Sequence, residues 1–101
     1  MAYGYLGTMR TRPGLRDEVV RTLVDGVDAL TEVGCRLYVV SVSEDDPDLI
    51  WVNEVWGSKE QHDASLQLPA VQAAIAETMP KLTGEFTSKE LRVVGGLGVE
   101  H

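Results

Sequence analysis

The side chains best suited to acid–base chemistry lie together in one segment, EVWGSKEQHDASLQLPAV, residues 54–71. The segment begins with Glu54, and further along it carries His62, one of only two histidines in the chain. Histidine titrates near neutral pH, and a carboxyl group in an apolar pocket keeps its proton to a higher pH than in water. Either residue type can therefore move a proton to or from a substrate. We predict that Glu54 and His62 are the catalytic residues.

Both residues also have an ordinary structural explanation. His62 could lie on the solvent-exposed face of a helix, and Glu54 could form an ion pair with a base such as Arg36 across a hairpin. Trp56 shares a strand face with Glu54, because side chains alternate along a strand. An indole at this position suits the core, or the wall of a pocket for a flat aromatic ligand. We expect Glu54 and Trp56 to line one cavity together with Tyr38.

Other kinds of site find no support in the sequence. Ser41 and Ser65 have no acid or base at the spacing of a hydrolase triad. The glycines at 95, 96 and 98 do not precede a helix, so they do not form a phosphate loop. Cys35 is the only cysteine, which excludes an internal disulfide, and we expect no metal site. The second histidine, His101, is the last residue, and we assign it no role.

Length and charge limit the class of protein. At 101 residues, 44% of them hydrophobic, the chain is expected to form one domain, 1–101, with one modest core. Sixteen acidic and nine basic residues give a net charge of −7, which repels phosphate backbones, so nucleic acid is not an expected partner. No apolar run is long enough to span a membrane, and the N-terminus lacks the apolar core of a signal peptide. We therefore expect a cytoplasmic protein.

A cluster of acids raises the question of calcium binding. The cluster consists of Glu44, Asp45, Asp46 and Asp48, all within one turn. It lacks the spaced ligands and the closing glutamate of an EF-hand loop. We interpret it as a solvated loop.

Strand and helix patterns follow one another in an order that defines the fold. Segments rich in β-branched and aromatic residues predict strands at 3–11, 35–43, 49–57 and 85–94. Apolar residues at helical spacing predict one helix from Leu15 to a stop at Gly34, and another from Ser58 that restarts at Pro69 and ends at Pro80.

This β-α-β-β-α-β order is typical of a ferredoxin-like α+β fold. Such a fold has a four-stranded antiparallel sheet with both helices on one face. We expect the core to span about residues 3–94 and residues 95–101 to form a glycine-rich tail.

The predicted sheet has apolar residues on both faces. On one face the two hairpin strands carry Tyr38, Val40, Val42, Ile50, Val52 and Trp56. On the other face they carry Cys35, Leu37, Val39, Leu49, Trp51 and Val55. Helices can cover only one of these faces, and an uncovered apolar face of this size is unusual on a soluble monomer. We expect a homodimer that packs sheet against sheet.

Taken in order, these segments resemble the antibiotic biosynthesis monooxygenase (ABM) family, including its small members that act like quinol monooxygenases. The resemblance covers about residues 3–93, with an Arg-Pro-Gly turn after the first strand and a hairpin that ends in WVNEVW. Its most specific part is E-V-W-x-S-K-E-x-H-D-A-S-L-x-L-P-A-V, at 54–71. The family implies a dimeric α/β barrel of ferredoxin-like subunits. Characterised members oxygenate phenols or quinols with molecular oxygen, so the resemblance implies that no flavin, metal or haem cofactor is needed.

The resemblance also assigns expectations to single residues. Glu54 and Trp56 match the glutamate and the aromatic residue that members place at the end of this strand. Many members carry a histidine where this chain has Ser65, and some carry an asparagine where it has Val52, so both positions are candidate substrate contacts. Relatives that degrade haem need a histidine ligand on this helix, and this chain has Leu66 there.

Three functional hypotheses are consistent with these observations. The first is a cofactor-independent monooxygenase that oxidises a small quinol or phenol with molecular oxygen. The second is a non-catalytic dimer that binds or senses a small aromatic ligand in the same pocket. The third is an isomerase-type or haem-degrading relative, because one fold hosts several chemistries.

Overall fold

The computed structural model describes residues 2–99 and contains four β-strands and three α-helices. The strands are β1 (Ala2–Thr11), β2 (Cys35–Val42), β3 (Leu49–Trp56) and β4 (Leu82–Val93). The helices are α1 (Arg16–Val24), α2 (Lys59–Ser65) and α3 (Pro69–Thr78), with short 3-10 helices at Val27–Val33 and Met79–Lys81. This order confirms the predicted ferredoxin-like α+β fold. His101 and the end of the predicted tail lie outside the described residues.

The four strands form one antiparallel sheet in the order β2-β3-β1-β4. In this sheet β3 pairs with both β2 and β1, and Glu54 lies opposite Tyr38 on one side and Tyr5 on the other. Residues directly opposite each other in neighbouring strands have side chains on the same face. The register therefore brings one carboxyl group and two phenol rings together on one face of the sheet.

That face is the one on which the helices pack. Val19 of α1 is fully buried against Ile50 and Val52 of β3 and Leu82 of β4, and these residues form one apolar cluster. A second cluster joins Tyr3, Cys35 and Trp56. Along β3 the two clusters are separated by Glu54, because Ile50, Val52, Glu54 and Trp56 alternate on the same face. The fold thus places a carboxyl group between two parts of its core.

Cys35 lies on the opposite face from the one that strict alternation predicts. The register between β2 and β3 shifts between Cys35 and Leu37, so Cys35 pairs with Trp56 while Leu37 pairs with Val55. A one-residue irregularity of this kind moves a side chain to the other face of the sheet. Cys35 is therefore buried on the helix side with Trp56, and the prediction that it shares a face with Leu37 was wrong.

The first predicted helix divides into two pieces. The α-helix ends at Val24, and Gly26 then adopts a left-handed conformation with φ of 78°. An α-helix cannot continue through that conformation, which glycine adopts without steric cost. The chain resumes as the 3-10 helix Val27–Val33, and Gly34, with φ of 105°, ends it as predicted.

The second helical region begins and restarts where the sequence predicts. The Ser58 hydroxyl accepts a hydrogen bond of 3.2 Å from the backbone N–H of Gln61, which caps the start of α2. Leu68 then has an extended backbone, and Pro69 is the first residue of α3. These short helices turn His62 towards the sheet, where it is buried.

The outer face of the sheet carries no helix of the described chain and remains partly apolar. Val39, Trp51 and Leu91 lie on it with 43%, 40% and 48% of their surface exposed. Strand β4 begins at Leu82, three residues earlier than predicted, and its residues from Thr83 to Arg92 are exposed.

Within residues 2–99 no helix is both long enough and apolar enough to cross a membrane.

Candidate functional site

A cavity of about 190 Å³ lies on the helix side of the sheet, and all four strands contribute to its walls. The side chains that line it include Tyr5, Met9, Tyr38, Val52, Glu54, Phe86 and Ser88. Most of these groups are apolar or aromatic, with one carboxyl group among them. Such a lining is typical of a site for a small, largely apolar ligand that has few polar groups.

The floor of the cavity depends on a glycine in the central strand. A methyl group on Gly7 would come within 3.1 Å of Cε1 of Tyr5 and 3.2 Å of the backbone oxygen of Thr87. These distances are shorter than normal contacts between carbon and its neighbours. The absence of a side chain at Gly7 therefore leaves room for the Tyr5 ring at the cavity.

Glu54 is the acidic residue of the cavity wall. Its side chain is only 12% exposed, and its Oε1 accepts a hydrogen bond of 2.9 Å from the indole Nε1 of Trp56. Burial raises the pKa of Glu54, while the Trp56 hydrogen bond and the neighbouring His62 lower it by a smaller amount. The result is a carboxyl group that binds a proton more tightly than an exposed glutamate. The geometry suits it for proton transfer to a molecule in the cavity.

His62 lies behind Glu54 in a cage of aromatic rings. Its ring is stacked on Tyr5, with centroids 5.3 Å apart and planes inclined by 20°. The Tyr3 ring is tilted with its centroid 5.2 Å away, and the Trp56 ring is nearly perpendicular with its centroid 5.6 Å away. The imidazole Nε2 is 4.0 Å from Oε1 of Glu54. His62 is therefore a buried residue next to the carboxyl group, not a solvent-exposed helix residue.

Tyr38 faces Glu54 from the neighbouring strand. Burial is the main cause that raises the pKa of its phenol, and the charge of Glu54 adds to the effect. The Tyr38 hydroxyl consequently stays protonated at physiological pH. It can donate a hydrogen bond to an oxygen atom of a ligand in the cavity.

Of the other three residues predicted to contact the substrate, only Val52 lines the cavity. Val52 lines the cavity as an apolar contact. Trp56 is 1% exposed and lies behind Glu54, where it orients the carboxyl group instead of forming the wall. Ser65 is buried on α2 and donates a hydrogen bond of 2.6 Å to the backbone oxygen of His62, so its hydroxyl is engaged within the helix.

Sequence reasoning missed several residues of this region. Tyr5, Met9 and Phe86 line the cavity, but only the pairing of β1 with β3 and β4 shows that they do. Asp63 was also missed: its Oδ1 lies 3.0 Å from Nδ1 of His62. Asp63 follows His62 directly in the sequence, but adjacent residues of a helix often have no side-chain contact, so this position alone did not predict one.

A polar contact joins both α2 and β1 to β4. The Tyr3 hydroxyl donates a hydrogen bond of 2.9 Å to Oε2 of Glu90, and Lys59 donates one of 2.8 Å to the same oxygen. Burial, and next the hydrogen bond to Glu90, raise the pKa of Tyr3 to about 12. Tyr3 therefore remains a neutral hydrogen-bond donor that ties β1 to β4.

The described residues contain no group of three or more His, Cys, Asp or Glu side chains placed to hold a metal ion. Within the acidic loop, both carboxylate oxygens of Asp46 accept hydrogen bonds from the Arg10 guanidinium, at 2.9 and 3.0 Å. These bonds are the main cause that lowers the pKa of Asp46. The contact ties the loop to β1.

Comparisons with known proteins agree with this architecture. The family model described as antibiotic biosynthesis monooxygenase matches residues 3–77. A solved structure of a candidate antibiotic biosynthesis monooxygenase from Chloroflexus aurantiacus J-10-fl is 41% identical, with a TM-score of 0.81, and the match covers 96% of this chain and 99% of that one. No curated protein matches the chain.

More distant structures share the fold. A candidate antibiotic biosynthesis monooxygenase from Caulobacter crescentus CB15 is 21% identical, with a TM-score of 0.84, over 93% of this chain and 91% of that one. Rv0793 from Mycobacterium tuberculosis is 20% identical, with a TM-score of 0.75, over 96% of this chain and 99% of that one. The family match itself runs from β1 into the last turn of α3 and includes Glu54 and His62. The chain therefore belongs to the antibiotic biosynthesis monooxygenase family.

Proposed function

We propose that the protein is a cofactor-independent monooxygenase that oxidises a small phenol or quinol with molecular oxygen. The observation that carries the proposal is the position of Glu54, a buried carboxyl group on the wall of a largely apolar cavity. Burial raises its pKa, so its ionised form is a stronger base than an exposed carboxylate. Family membership supports the reaction class, and the cavity supports a small aromatic substrate.

Proton removal is the step that the protein is expected to catalyse. Glu54 takes the hydroxyl proton of the bound phenol, and the phenolate transfers an electron to molecular oxygen. The two radicals combine into a peroxide at a ring carbon that bears hydrogen, and loss of water from the protonated peroxide leaves a carbonyl group. One phenol and one oxygen molecule thus give one quinone and one water molecule. The substrate supplies the electrons, so the scheme needs no cofactor.

The cavity walls can stabilise both the phenolate oxygen and the aromatic ring of the substrate. The Tyr38 phenol stays protonated, so its hydroxyl can donate a hydrogen bond to the developing phenolate oxygen. Tyr5, Met9 and Val52 provide apolar contacts for the flat ring. These roles make Tyr38 and Val52 binding residues in the proposal, with Glu54 as the base and His62 as its catalytic partner.

The size of the cavity limits the substrate. Its volume of about 190 Å³ is below the roughly 300–1,000 Å³ of pockets for drug-sized ligands. An apolar cavity of about 150 Å³ accommodates benzene. We therefore propose a substrate with a single aromatic ring.

Oxygen consumption by the purified protein tests the proposal. A panel of single-ring phenols and quinols is incubated with the wild type, with Glu54→Gln and with Glu44→Gln, which alters an exposed glutamate in the β2–β3 loop. We expect Glu54→Gln to lower kcat by about 100-fold or more, because general-base catalysis contributes about 100- to 10,000-fold. Glu44→Gln should retain the wild-type rate.

Wild-type oxygen uptake no faster than that in buffer, across the whole panel, would rule out the proposed activity. Tight binding of a panel member without turnover would instead support the ligand-sensing hypothesis. Calorimetric titration of the same compounds separates these two outcomes.

We further propose that the protein acts as a homodimer that joins two sheets by their outer faces. The partly exposed apolar residues Val39, Trp51 and Leu91 lie on this face, and burial of such a surface favours association. A second copy presents the same face, which satisfies the self-complementarity of a two-fold interface. The ABM resemblance implies the same dimeric arrangement.

A further inference from the structure

His62 has a carboxyl group at each of its two ring nitrogens. Nε2 faces Glu54 Oε1 at 4.0 Å, and Nδ1 lies at hydrogen-bonding distance, 3.0 Å, from Oδ1 of Asp63. The two acids differ in environment, since 12% of the Glu54 side chain is exposed but 52% of the Asp63 side chain. The imidazole therefore separates a buried acid on the cavity wall from an acid at the protein surface.

We propose that Asp63 is a positioning residue that accepts the Nδ1–H of His62 and so leaves Nε2 unprotonated and directed at Glu54. The proposal rests on the function proposed above for Glu54. In this arrangement His62 can take from Glu54 the proton that the carboxylate removes from the substrate. Glu54 is then ionised again while the substrate anion reacts with oxygen.

The charge of Asp63 favours this tautomer. The hydrogen bond with His62 is the main cause that lowers the pKa of Asp63, and Lys59, 3.6 Å away, lowers it further. Asp63 is therefore an anion that can only accept a hydrogen bond. The nitrogen next to it is best protonated, and a neutral imidazole carries its other nitrogen as an acceptor.

The aromatic cage fixes the orientation of the ring. A rotated imidazole would have to exchange the positions of its nitrogens while stacked on Tyr5 and packed against the nearly perpendicular Trp56 ring. The titratable and charged groups near His62, on α2 and on the strands packed against it, include Glu54, Asp63, Lys59, Tyr3, Tyr5 and, through Tyr3, Glu90. Among these groups, the acids within 4.0 Å of a ring nitrogen are Glu54 and Asp63.

The proton balance of the step is simple. The substrate O–H bond breaks as a Glu54 O–H bond forms, and that bond in turn breaks as an N–H bond forms at Nε2 of His62. A decrease of about 1 Å in the separation of Nε2 and Oε1 brings them to hydrogen-bonding distance. The imidazolium then lies between two carboxylates, which stabilise its charge. The proton returns by the same route to the peroxide, whose loss of water completes the reaction.

Nitrogen-15 NMR of the histidine ring tests the tautomer without any need for turnover. In the wild type at pH 8 we expect the Nδ1 signal of a protonated nitrogen and the Nε2 signal of an unprotonated one. Asp63→Ala should shift the population towards the Nε2–H form, and Asp63→Asn, which keeps an uncharged acceptor, should give an intermediate result. Glu60→Gln, an exposed neighbour on α2, should leave the spectrum unchanged.

Three NMR results would overturn the proposal: an Nε2–H tautomer in the wild type, protonation of both nitrogens at pH 8, or identical spectra for the wild type and Asp63→Ala. With an active substrate, Asp63→Ala should lower kcat by about 10-fold with little change in KM, because proton transfer and not binding is affected. An unchanged kcat would contradict the proton-transfer role. Absence of turnover in the wild type would instead count against the proposed function and leave the NMR result valid.

Discussion

At the scale of single residues, Glu54, the proposed base, has a cost in stability. Glu54 lies between two apolar clusters, and burial raises its pKa above the ordinary value of 4.5. Its protonated form therefore favours the folded state more than its ionised form does. The favourable contribution is complete below the unfolded-state pKa, and it is lost as the pH rises through the folded-state pKa. Above that pKa the ionised carboxylate destabilises the folded state.

The Glu54→Gln variant should therefore be more stable than the wild type at neutral pH, although we expect its kcat to be much lower. Glutamine has nearly the same shape, and its amide oxygen can accept the hydrogen bond from Trp56. Thermal unfolding from pH 4 to pH 8 measures the effect, and the difference in Tm should grow as the pH rises. Glu44→Gln is the control and should show no such trend; a Glu54→Gln protein less stable than the wild type at pH 7 would contradict the argument.

At the scale of elements, α2 depends on its surroundings. It has only seven residues, and isolated helices shorter than about 12–15 residues are marginal in water. Its start is capped by Ser58, its inner side is held by His62 among the aromatic rings, and Lys59 joins it to Glu90 of β4. The position of His62 in the site is thus set by a cap, a cluster of rings and an ion pair, and not by helix propensity.

Removal of the cap should loosen α2. Ser58→Ala deletes the acceptor for the Gln61 N–H and should lower the free energy of unfolding by about 1 kcal/mol. Chemical denaturation measures this loss, and hydrogen exchange at the amides of α2 should increase as the helix frays. The matched control is Ser41→Ala, at an exposed position on β2. Equal stability losses in the two variants would show that Ser58 has no special role as a cap.

At the scale of the whole molecule, the sheet has one covered face and one open face. The helices bury Ile50 and Val52, whereas Trp51, next to them in the same strand, is directed away and is 40% exposed. The residues on both sides of β3 are apolar, so burial of either face of this strand is favourable. This is the feature that led us to propose a dimer.

Light scattering should give the mass of a dimer at micromolar concentration. Trp51→Glu places a charge on the outer face and should convert the protein to a folded monomer, since an unpaired charge is costly to bury. Val24→Glu alters an apolar residue of similar exposure, 45%, at the end of α1, and it should remain dimeric. A wild type that is monomeric at this concentration would refute the proposed dimer.

Much of the fold follows from hydrophobic periodicity and turn chemistry. The order of strands and helices and the restart of the second helix at Pro69 are local properties, and the sequence predicts them correctly. The break at Gly26 was missed because a single glycine inside an amphipathic pattern does not show whether its φ is positive. The face of Cys35 was wrong because a bulge depends on pairing between strands.

The site was predictable only in part, for a similar reason. The chemistry of Glu54 and His62 marks them in the sequence, but their neighbours are set by register. Tyr5 lies opposite Glu54 because β1 pairs with β3 at one particular offset. The sequence cannot supply that offset alone, and a shift by one residue would turn Tyr5 to the outer face.

The buried position of Cys35 on the helix side of the sheet has a practical consequence. Burial raises the pKa of the Cys35 thiol, and a thiol reacts as its thiolate, so Cys35 in the folded protein should be inert to alkylating reagents. It packs against Tyr3 and Trp56, which also contact His62. The rate at which a reagent modifies this single thiol therefore reports how often this end of the molecule opens. Cys35 can thus serve as an intrinsic probe of local opening next to Glu54 and His62.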